Sequence, residues 1–149
     1  MPIAIKDSKI NITSEKSTKE LAQKFTEYLK GGEFVLLYGE MGVGKTTFVK
    51  YFINEFQKKN ELSQTEITSP TFNLLNEYQI RDTKIKHYDL FRINSKKEVN
   101  ELEVFETGDK VITLIEWPEL IDDKGKIKFI KLTFSYLNNL VDRSVDIKI

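Results

Sequence analysis

Residues 39–46 read Gly-Glu-Met-Gly-Val-Gly-Lys-Thr and meet every position of the phosphate-binding (Walker A) pattern G-x-x-x-x-G-K-[ST]. Small residues let successive backbone N–H groups turn inward around an anion, and a following helix points its positive N-terminal end at the same phosphates. Lys45 would reach the β and γ phosphates, and the Thr46 hydroxyl would bind Mg²⁺. The chemistry predicted for this stretch is therefore the binding of a nucleotide with its metal ion.

The segments on either side of this loop have the patterns of a strand and a helix. Residues 33–38 form a short, β-rich apolar run before the loop. After it, apolar side chains recur at helical spacing and predict a helix over residues 45–59. Strand, loop and helix thus follow in the order that phosphate binding requires. The residues predicted to contact the nucleotide here are Glu40, Met41, Gly42, Val43, Gly44, Lys45, Thr46 and Thr47.

Phosphoryl chemistry also needs a carboxylate near the Mg²⁺ ion, at the C-terminal end of a neighbouring strand. Glu116 follows the most apolar run of the chain, residues 111–115, which is typical of a strand buried on both faces. Asp89 comes at the end of a second predicted strand. An acid at a strand end is more often a helix cap or a solvated loop charge than a metal ligand. Glu116 is the stronger candidate of the two, because the apolar run precedes it. For Asp89, these residues alone leave both interpretations open.

Three features near these acids allow a structural and a functional interpretation. His87 is the only histidine, and since no Ser or Cys arrangement lies near it in sequence, we expect a partly buried strand residue. Trp117 is the only tryptophan, and it either packs or lines a nucleotide. The segment Ser69, Pro70 and Thr71 is either a plain turn or a switch-like loop whose hydroxyls approach the γ phosphate and the metal.

The base of the nucleotide is predicted to be adenine. The N-K-x-D run with which GTPases read guanine is absent, and the Asp-Asp-Lys-Gly stretch at residues 122–125 resembles a turn more than a D-x-x-G metal loop. The only arginines are Arg81, Arg92 and Arg143, which are too scattered for the arginine-rich lid of a small nucleotide kinase. A small-molecule kinase is therefore the weaker alternative.

The composition limits the partners and the location. A chain of 149 residues predicts one domain over 1–149, and its 23 basic and 23 acidic side chains create no overall field toward nucleic acid or a membrane surface. No DNA partner is expected, and any RNA contact would be local or made through a partner. The lack of cysteine excludes disulfides and thiolate metal sites. Without a span of ~20 apolar residues or a signal-peptide core, a cytoplasmic protein is predicted.

The remaining periodicities predict the elements that position the loop. Ile10 and Ile12 alternate with polar residues as in an edge strand, and a capping box at residues 17–20 predicts the start of a helix that Gly31 and Gly32 end. Downstream, we predict an extended pair at 72–80 and 84–90 around a turn at 81–83, a short charged helix at 95–105 and a C-terminal antiparallel pair at 127–136 and 145–149. Together these elements predict an α/β, P-loop NTPase-like, three-layer fold with a mixed, mainly parallel central sheet and antiparallel edge strands.

Taken together, the motifs resemble the TsaE (YjeE) family, the small ATPases of bacterial tRNA threonylcarbamoyladenosine biosynthesis. The resemblance covers nearly the whole chain. The motifs that carry it are the loop at 39–48, T-S-P-T-F at 68–72, N-E-Y at 76–78, H-Y-D-L-F-R at 87–92 and I-E-W-P-E at 115–119. Several motifs in the right order are far more specific than the phosphate loop alone.

For the site, the resemblance implies a single P-loop ATPase domain with ATP and Mg²⁺ as cofactors. Thr46, Asp89 and Glu116 would be the Mg²⁺ ligands, and Lys45 with the loop backbone would hold the phosphates. The implied catalytic set is therefore Lys45, Asp89 and Glu116. Trp117 would lie beside the nucleotide, and the segment 69–71 would act as the switch.

For the function, the resemblance implies a partner protein in place of a small substrate. The family's ATPase acts on a complex of TsaB and TsaD, which transfers the threonylcarbamoyl group to adenosine in the tRNA anticodon loop, so tRNA is an indirect partner. Hydrolysis would reset that complex. Residues 93–110 depart from the family pattern, because a Leu-Gly-rich helix is replaced by a short charged one. A small-metabolite kinase and a nucleotide-sensing module that does not hydrolyse remain the alternatives.

Overall fold

The computed structural model describes residues 8–122 and 127–149, and its central feature is a seven-stranded sheet. The strands are β1 Lys9–Asn11, β2 Phe34–Tyr38, β3 Leu75–Ile80, β4 Thr83–Asp89, β5 Val111–Glu116, β6 Phe129–Tyr136 and β7 Arg143–Lys148. The helices are α1 Glu15–Tyr28, α2 Lys45–Lys59 and α3 Lys96–Glu101, with a 3₁₀ turn over Pro118–Leu120. The order across the sheet is β1-β7-β6-β2-β5-β4-β3.

Parallel strands occupy the centre of this sheet and antiparallel strands its edges. The ladders between β6 and β2, β2 and β5, and β5 and β4 are parallel. The strands β1, β7 and β3 are joined to their neighbours by antiparallel ladders. The predicted mixed sheet with antiparallel edges is thus confirmed. Because parallel strands end at the same edge, the loops after β2, β4 and β5 meet there.

Successive side chains along a strand point to opposite faces of the sheet and pack into different apolar clusters. Val35 and Leu37 of β2 belong to a cluster with buried side chains of α1 and α2, among them Phe25 and Phe52. The intervening residues of β2 belong to a second cluster, which contains Val99 of α3. Two apolar clusters, one on each face of the sheet, give the predicted three layers. Within the described part of the chain, no helix has the length and apolar character of a membrane span.

The first helix begins before the predicted capping box. Ser14 is its N-cap, and the N–H of Ser17 donates to the Ser14 Oγ at 3.1 Å. The two hydroxyl oxygens also lie 2.8 Å apart. Ser17 therefore takes the position three residues after the cap. The prediction of a box at 17–20 was wrong, because the true cap lies one turn earlier.

The strand predicted from residue 72 begins only at Leu75. Phe72 lies in a turn, and the N–H of Leu74 donates to the Pro70 carbonyl at 2.8 Å. Leu74 has a φ of 69°, which no ladder residue adopts. The alternation at Phe72 and Leu74 therefore belongs to a turn, and that part of the prediction was wrong.

The other predicted elements agree with the structure except at their ends. The predicted helix 45–59 has the observed bounds, whereas the one at 95–105 is regular only over Lys96–Glu101. The strand predicted from residue 127 starts at Phe129. Residues 1–7 and 123–126, and with the latter most of the predicted turn at 122–125, lie outside the described residues.

Gly31 provides a test of the packing that connects α1 to β2. Its φ is +134°, and a Cβ at this position would lie 2.1 Å from the backbone oxygen of Asp109. We expect Gly31→Ala to lower the free energy of unfolding by more than the ~1–3 kcal/mol of a strained backbone alone, because the backbone contact must also open. Chemical denaturation measures this change. Gly108→Ala is the matched control, since its Cβ would meet nothing closer than 4.0 Å; equal losses in both variants would contradict the prediction.

Candidate functional site

The phosphate loop connects β2 to α2 and is fixed against β6. Gly39 has a φ of +145°, and a Cβ there would lie 2.8 Å from the Phe134 carbonyl oxygen, so only glycine fits. The helix α2 begins at Lys45, and its N-cap Gly44 offers no side-chain hydrogen bond. The N–H groups of the first helical turn are consequently available to an anion.

Asp89 and Glu116 end two neighbouring strands at the edge where the loop lies. They are partners in the parallel register of β4 and β5, and adjacent strands are about 4.8 Å apart. Glu116 is buried, and its Oε1 accepts a hydrogen bond from the Thr46 hydroxyl at 2.8 Å. The structure therefore brings together the three residues that were predicted to bind Mg²⁺.

Two donors from the described part of the chain orient the Asp89 carboxylate. The backbone N–H of Phe91 donates to Oδ1 at 3.0 Å, and the Ser69 hydroxyl donates to Oδ2 at 3.2 Å. The Ser69 and Thr71 hydroxyl oxygens lie 3.1 Å apart. Pro70 is buried beside them. The segment predicted to be a switch thus contacts one of the predicted metal ligands.

These residues form a donor set that suits Mg²⁺. Two carboxylates and a hydroxyl are hard oxygen donors, and Mg²⁺ is usually held by one or two carboxylates together with phosphate and water oxygens. Within residues 8–122 and 127–149, no group of three His, Cys, Asp or Glu side chains is placed to hold a metal ion. An ion at Thr46, Asp89 and Glu116 would therefore depend on oxygens of the nucleotide as well.

Lys45 lies across the indole ring of Trp117. Its Nζ is 3.4 Å from the ring centroid and donates a hydrogen bond to the carbonyl oxygen of Gly39. Trp117 has a left-handed backbone, with φ 57° and ψ 58°, and its ring lies 4.8 Å from that of Phe91. A ligand that draws Lys45 away would therefore change the surroundings of the only tryptophan.

Burial lowers the pKa of the Lys45 ammonium below its ordinary value. The carboxylates of Glu116, Glu119 and Asp89 act in the opposite direction and only partly offset this effect. An ammonium that has lost water gains more from a new anionic partner than one in solution does. An anion that bound beside Lys45 would therefore offset part of the cost of burying this ammonium.

His87 is completely buried and contacts Glu116, whereas a partly buried residue was expected. Its Nε2 lies 2.6 Å from the Glu116 Oε2. Its Nδ1 has no hydrogen-bond partner among the described residues. The sequence did carry one signal of this contact, because His87 and Asp89 are two residues apart and so share a face of β4.

A cleft of about 340 Å³ contains most of the predicted site. Every predicted site residue lines it except Glu40, Val43 and Pro70. Val43 instead packs in the core and Pro70 is buried, while Glu40 is exposed. Phe91 also lines the cleft, a position that no pattern in the sequence indicated.

Arg143 lies beside the phosphate loop, a position that its place late in the chain did not indicate. Its Nη1 is 3.5 Å from where a Cβ on Gly44 would be, and its Nη2 donates to the Thr13 carbonyl at 3.2 Å. Arg92 instead lies over the Phe72 ring, 5.3 Å from its centroid. Neither arginine lines the described cleft.

The fold and this arrangement of side chains define an α/β protein with the architecture of the phosphate-loop NTPases. The family model described as "Threonylcarbamoyl adenosine biosynthesis protein TsaE" matches residues 12–145. The TsaE protein of Rickettsia typhi is 41% identical over 128 residues, which are 86% of this chain and 86% of the relative. The TsaE protein of Aquifex aeolicus is 37% identical over 108 residues, which are 72% of this chain and 74% of the relative.

The chain belongs to the TsaE family, so the predicted resemblance is confirmed. The family name gives it a role in tRNA threonylcarbamoyladenosine biosynthesis. The crystal structure of Bacillus subtilis YdiB has the same fold, with a TM-score of 0.66, and the match covers 97% of this chain and 86% of that one. At 22% sequence identity, this likeness supports the fold alone.

Nucleotide binding can be followed through Trp117. We expect Mg²⁺-ATP to change its fluorescence, because phosphates would compete with the indole for Lys45. Lys45→Met removes the source of this signal, so its ATP affinity is measured by calorimetric titration; it should be about 10–100-fold weaker, since a charge-assisted hydrogen bond contributes ~1.5–3 kcal/mol. Lys50→Met, at an exposed position of α2, is the control. An unchanged titration of Lys45→Met would argue against phosphate binding at this loop.

The lowered pKa of Lys45 makes the stability of the folded chain depend on pH. Between the lowered pKa and the ordinary one, the unfolded state binds the Lys45 proton and the folded state does not, so stability rises with pH in that window. Lys45→Met should therefore be more stable than the wild type at neutral pH, and the difference should shrink at alkaline pH. Denaturation of both proteins across this range measures it. Tyr51 and Tyr78 have raised pKa values in both proteins, so their effects cancel in the difference.

Proposed function

We propose that this chain is a Mg²⁺-dependent ATPase required for threonylcarbamoyladenosine modification of tRNA, and that it acts on the TsaB–TsaD complex. The observation that carries the proposal is the hydrogen bond from Thr46 to Glu116 at the end of the phosphate loop, with Asp89 in register beside it. A hydroxyl and a carboxylate around one Mg²⁺ ion are what phosphate-loop ATPases need. Membership of the TsaE family supports the pathway. The proposed location is the cytoplasm, where ATP and tRNA are both present.

Different residues of the cleft would bind different parts of the Mg²⁺-ATP complex. The N–H groups of residues 40–47 and the Lys45 ammonium would hold the phosphates. Thr46, Asp89 and Glu116 would hold the Mg²⁺ ion, which when bound neutralises charge that develops on the transferred phosphoryl group. Phe91 and Trp117 lie at the cleft as an apolar wall, which would limit the access of water.

The switch-like loop would respond to the metal through Asp89. In the structure Ser69 donates to the same Asp89 carboxylate that would bind the ion. If that oxygen turns to a cation, Ser69 must find another partner, and the turn closed by Pro70 and Leu74 would move with it. Phe72, which is 83% exposed, lies in this turn. The position of Phe72 on the surface would thus depend on whether the metal and nucleotide are bound, and a partner protein that contacts this turn would respond to that change.

The isolated chain should hydrolyse ATP slowly. No arginine is among the described residues that line the cleft, so Lys45 and the metal would be its main positive charges there. An arginine finger contributes roughly 10³–10⁵-fold to turnover in related phosphoryl transfer. We propose that the partner complex completes the site, which would make turnover depend on TsaB and TsaD.

The decisive measurement is ATP turnover by the chain alone and with TsaB, TsaD and tRNA. We expect clear stimulation by the complete mixture, and no phosphorylated small product. Asp89→Asn should lower the stimulated rate by more than the ~10–100-fold that loss of an outer partner of a metal ligand costs. Asp109→Asn, at an exposed acid, is the control.

Each alternative function predicts a different result in the same assay. A small-metabolite kinase would release ADP only with its substrate and without protein partners. A nucleotide-sensing module would show the Trp117 fluorescence change but no turnover in any mixture. Full tRNA modification supported by Lys45→Met would overturn the ATPase proposal itself.

A further inference from the structure

The buried histidine beside Glu116 carries an inference that goes beyond the predicted site. We infer that His87 is a positioning residue, which holds the Glu116 carboxylate in the orientation that Thr46 and a bound metal ion need. The inference rests on the proposed function, because it concerns the metal side of that same site.

The backbone places the two side chains on one face of the sheet. His87 is in register with Leu114 on the parallel neighbour strand, and Glu116 lies two residues further along that strand. Residues of equal parity on adjacent strands project to the same face, so the imidazole reaches diagonally to the carboxylate. The Nε2–Oε2 distance is 2.6 Å, and the two side chains are only 0% and 2% exposed. The contact is thus short and shielded from water.

The direction of this hydrogen bond follows from the other ring nitrogen. The His87 Nδ1 has no partner among the described residues, and an N–H buried there without an acceptor would be costly. The arrangement with the proton on Nε2 avoids that cost and lets the ring donate to Glu116. The carboxylate then accepts one bond at each oxygen, from His87 at Oε2 and from Thr46 at Oε1. It cannot rotate without breaking both.

The two carboxylate oxygens of Glu116 therefore have different roles in the proposed site. Oε1 accepts from Thr46, which lies at the start of α2 and ends the loop motif that would hold the phosphates. Oε2 is occupied by a buried donor that no solvent molecule replaces easily. Donors of this kind orient metal ligands, and their loss typically reduces metal affinity or activity about 10–100-fold. His87 would therefore act on the metal through Glu116 without touching it.

Two substitutions at residue 87 separate positioning from packing. His87→Leu keeps an apolar side chain of moderate size and removes the donor, whereas His87→Gln returns an N–H near the end of the side chain. The control is Thr113→Val, because Thr113 is a fully buried polar residue on β5 whose hydroxyl has no partner in the described part of the chain. Each protein is titrated with Mg²⁺ in the presence of a non-hydrolysable ATP analogue, with Trp117 fluorescence as the readout. Chemical denaturation and the values of kcat and KM are measured alongside.

We expect His87→Leu to weaken the Mg²⁺ affinity about 10–100-fold and to lower kcat more than it changes KM for ATP. His87→Gln should recover most of the affinity, and Thr113→Val should match the wild type. The Mg²⁺-free affinity for the analogue should stay unchanged in all variants, because the phosphate loop is intact. Recovery by the conservative variant is a result that a purely structural role does not produce.

Equal Mg²⁺ affinities in His87→Leu and the wild type would overturn the inference, even if stability falls. If the wild type binds the analogue without any dependence on Mg²⁺, the proposed function fails first and the inference with it. If His87→Leu does not fold, His87→Met, which also lacks a donor and is close in size to glutamine, replaces it. Equal Mg²⁺ affinities in His87→Met and His87→Gln would then overturn the inference.

Discussion

The structure buries three charged side chains at one edge of its parallel strands, and the surrounding segments must compensate for the cost of that burial. Lys45, Asp89 and Glu116 are 4%, 6% and 2% exposed. Burying a charge costs several kcal/mol unless partners and hydrogen bonds compensate for it. The structure meets this need with short-range donors and acceptors that come from Gly39, Thr46, Ser69, His87 and Phe91. These partners lie on different segments, so the charges can be stabilised only when the loop, β4 and β5 are all in place.

The apolar core provides the rigidity that such a site requires. The phosphate loop cannot shift toward β6, because Gly39 already contacts Phe134 of that strand. Asp89 and Glu116 cannot slide past each other, because their strands are locked in register by residues buried on both faces. A change of one residue in that register would send one carboxylate to the opposite face of the sheet. The geometry of the charges is thus set by packing, and the hydrogen bonds refine it.

What the sequence could predict depended on how far apart the interacting residues lie in the chain. The bounds of α2 followed from a continuous periodicity and a loop that fixes its start, and Glu116 followed from the apolar run before it. Asp89 needed the strand register, which no local pattern contains, so the residues alone left its role open. The contacts of His87 with Glu116 and of Ser69 with Asp89 join residues 29 and 20 positions apart. For His87 the sequence indicated only a face shared with Asp89, and the partners themselves become visible in the folded sheet. The strand prediction at Phe72 was wrong because a turn can repeat the alternation of a strand for a few residues.

The segment 69–71 lies just before the sheet, and this position determines which residues an ion at the proposed metal site would affect. The loop leads directly into β3, which is an edge strand of the described sheet and has β4 as its neighbour. The Asp89 N–H donates to the Leu74 carbonyl at 3.0 Å, so the backbone of β4 is held to the end of this loop, whereas Ser69 contacts Asp89 through its side chain. A rearrangement at Ser69 can therefore move the exposed Phe72 without disturbing the parallel centre that holds Lys45 and Glu116. In the proposed ATPase, this arrangement would keep the charged site rigid while the segment before β3 rearranges.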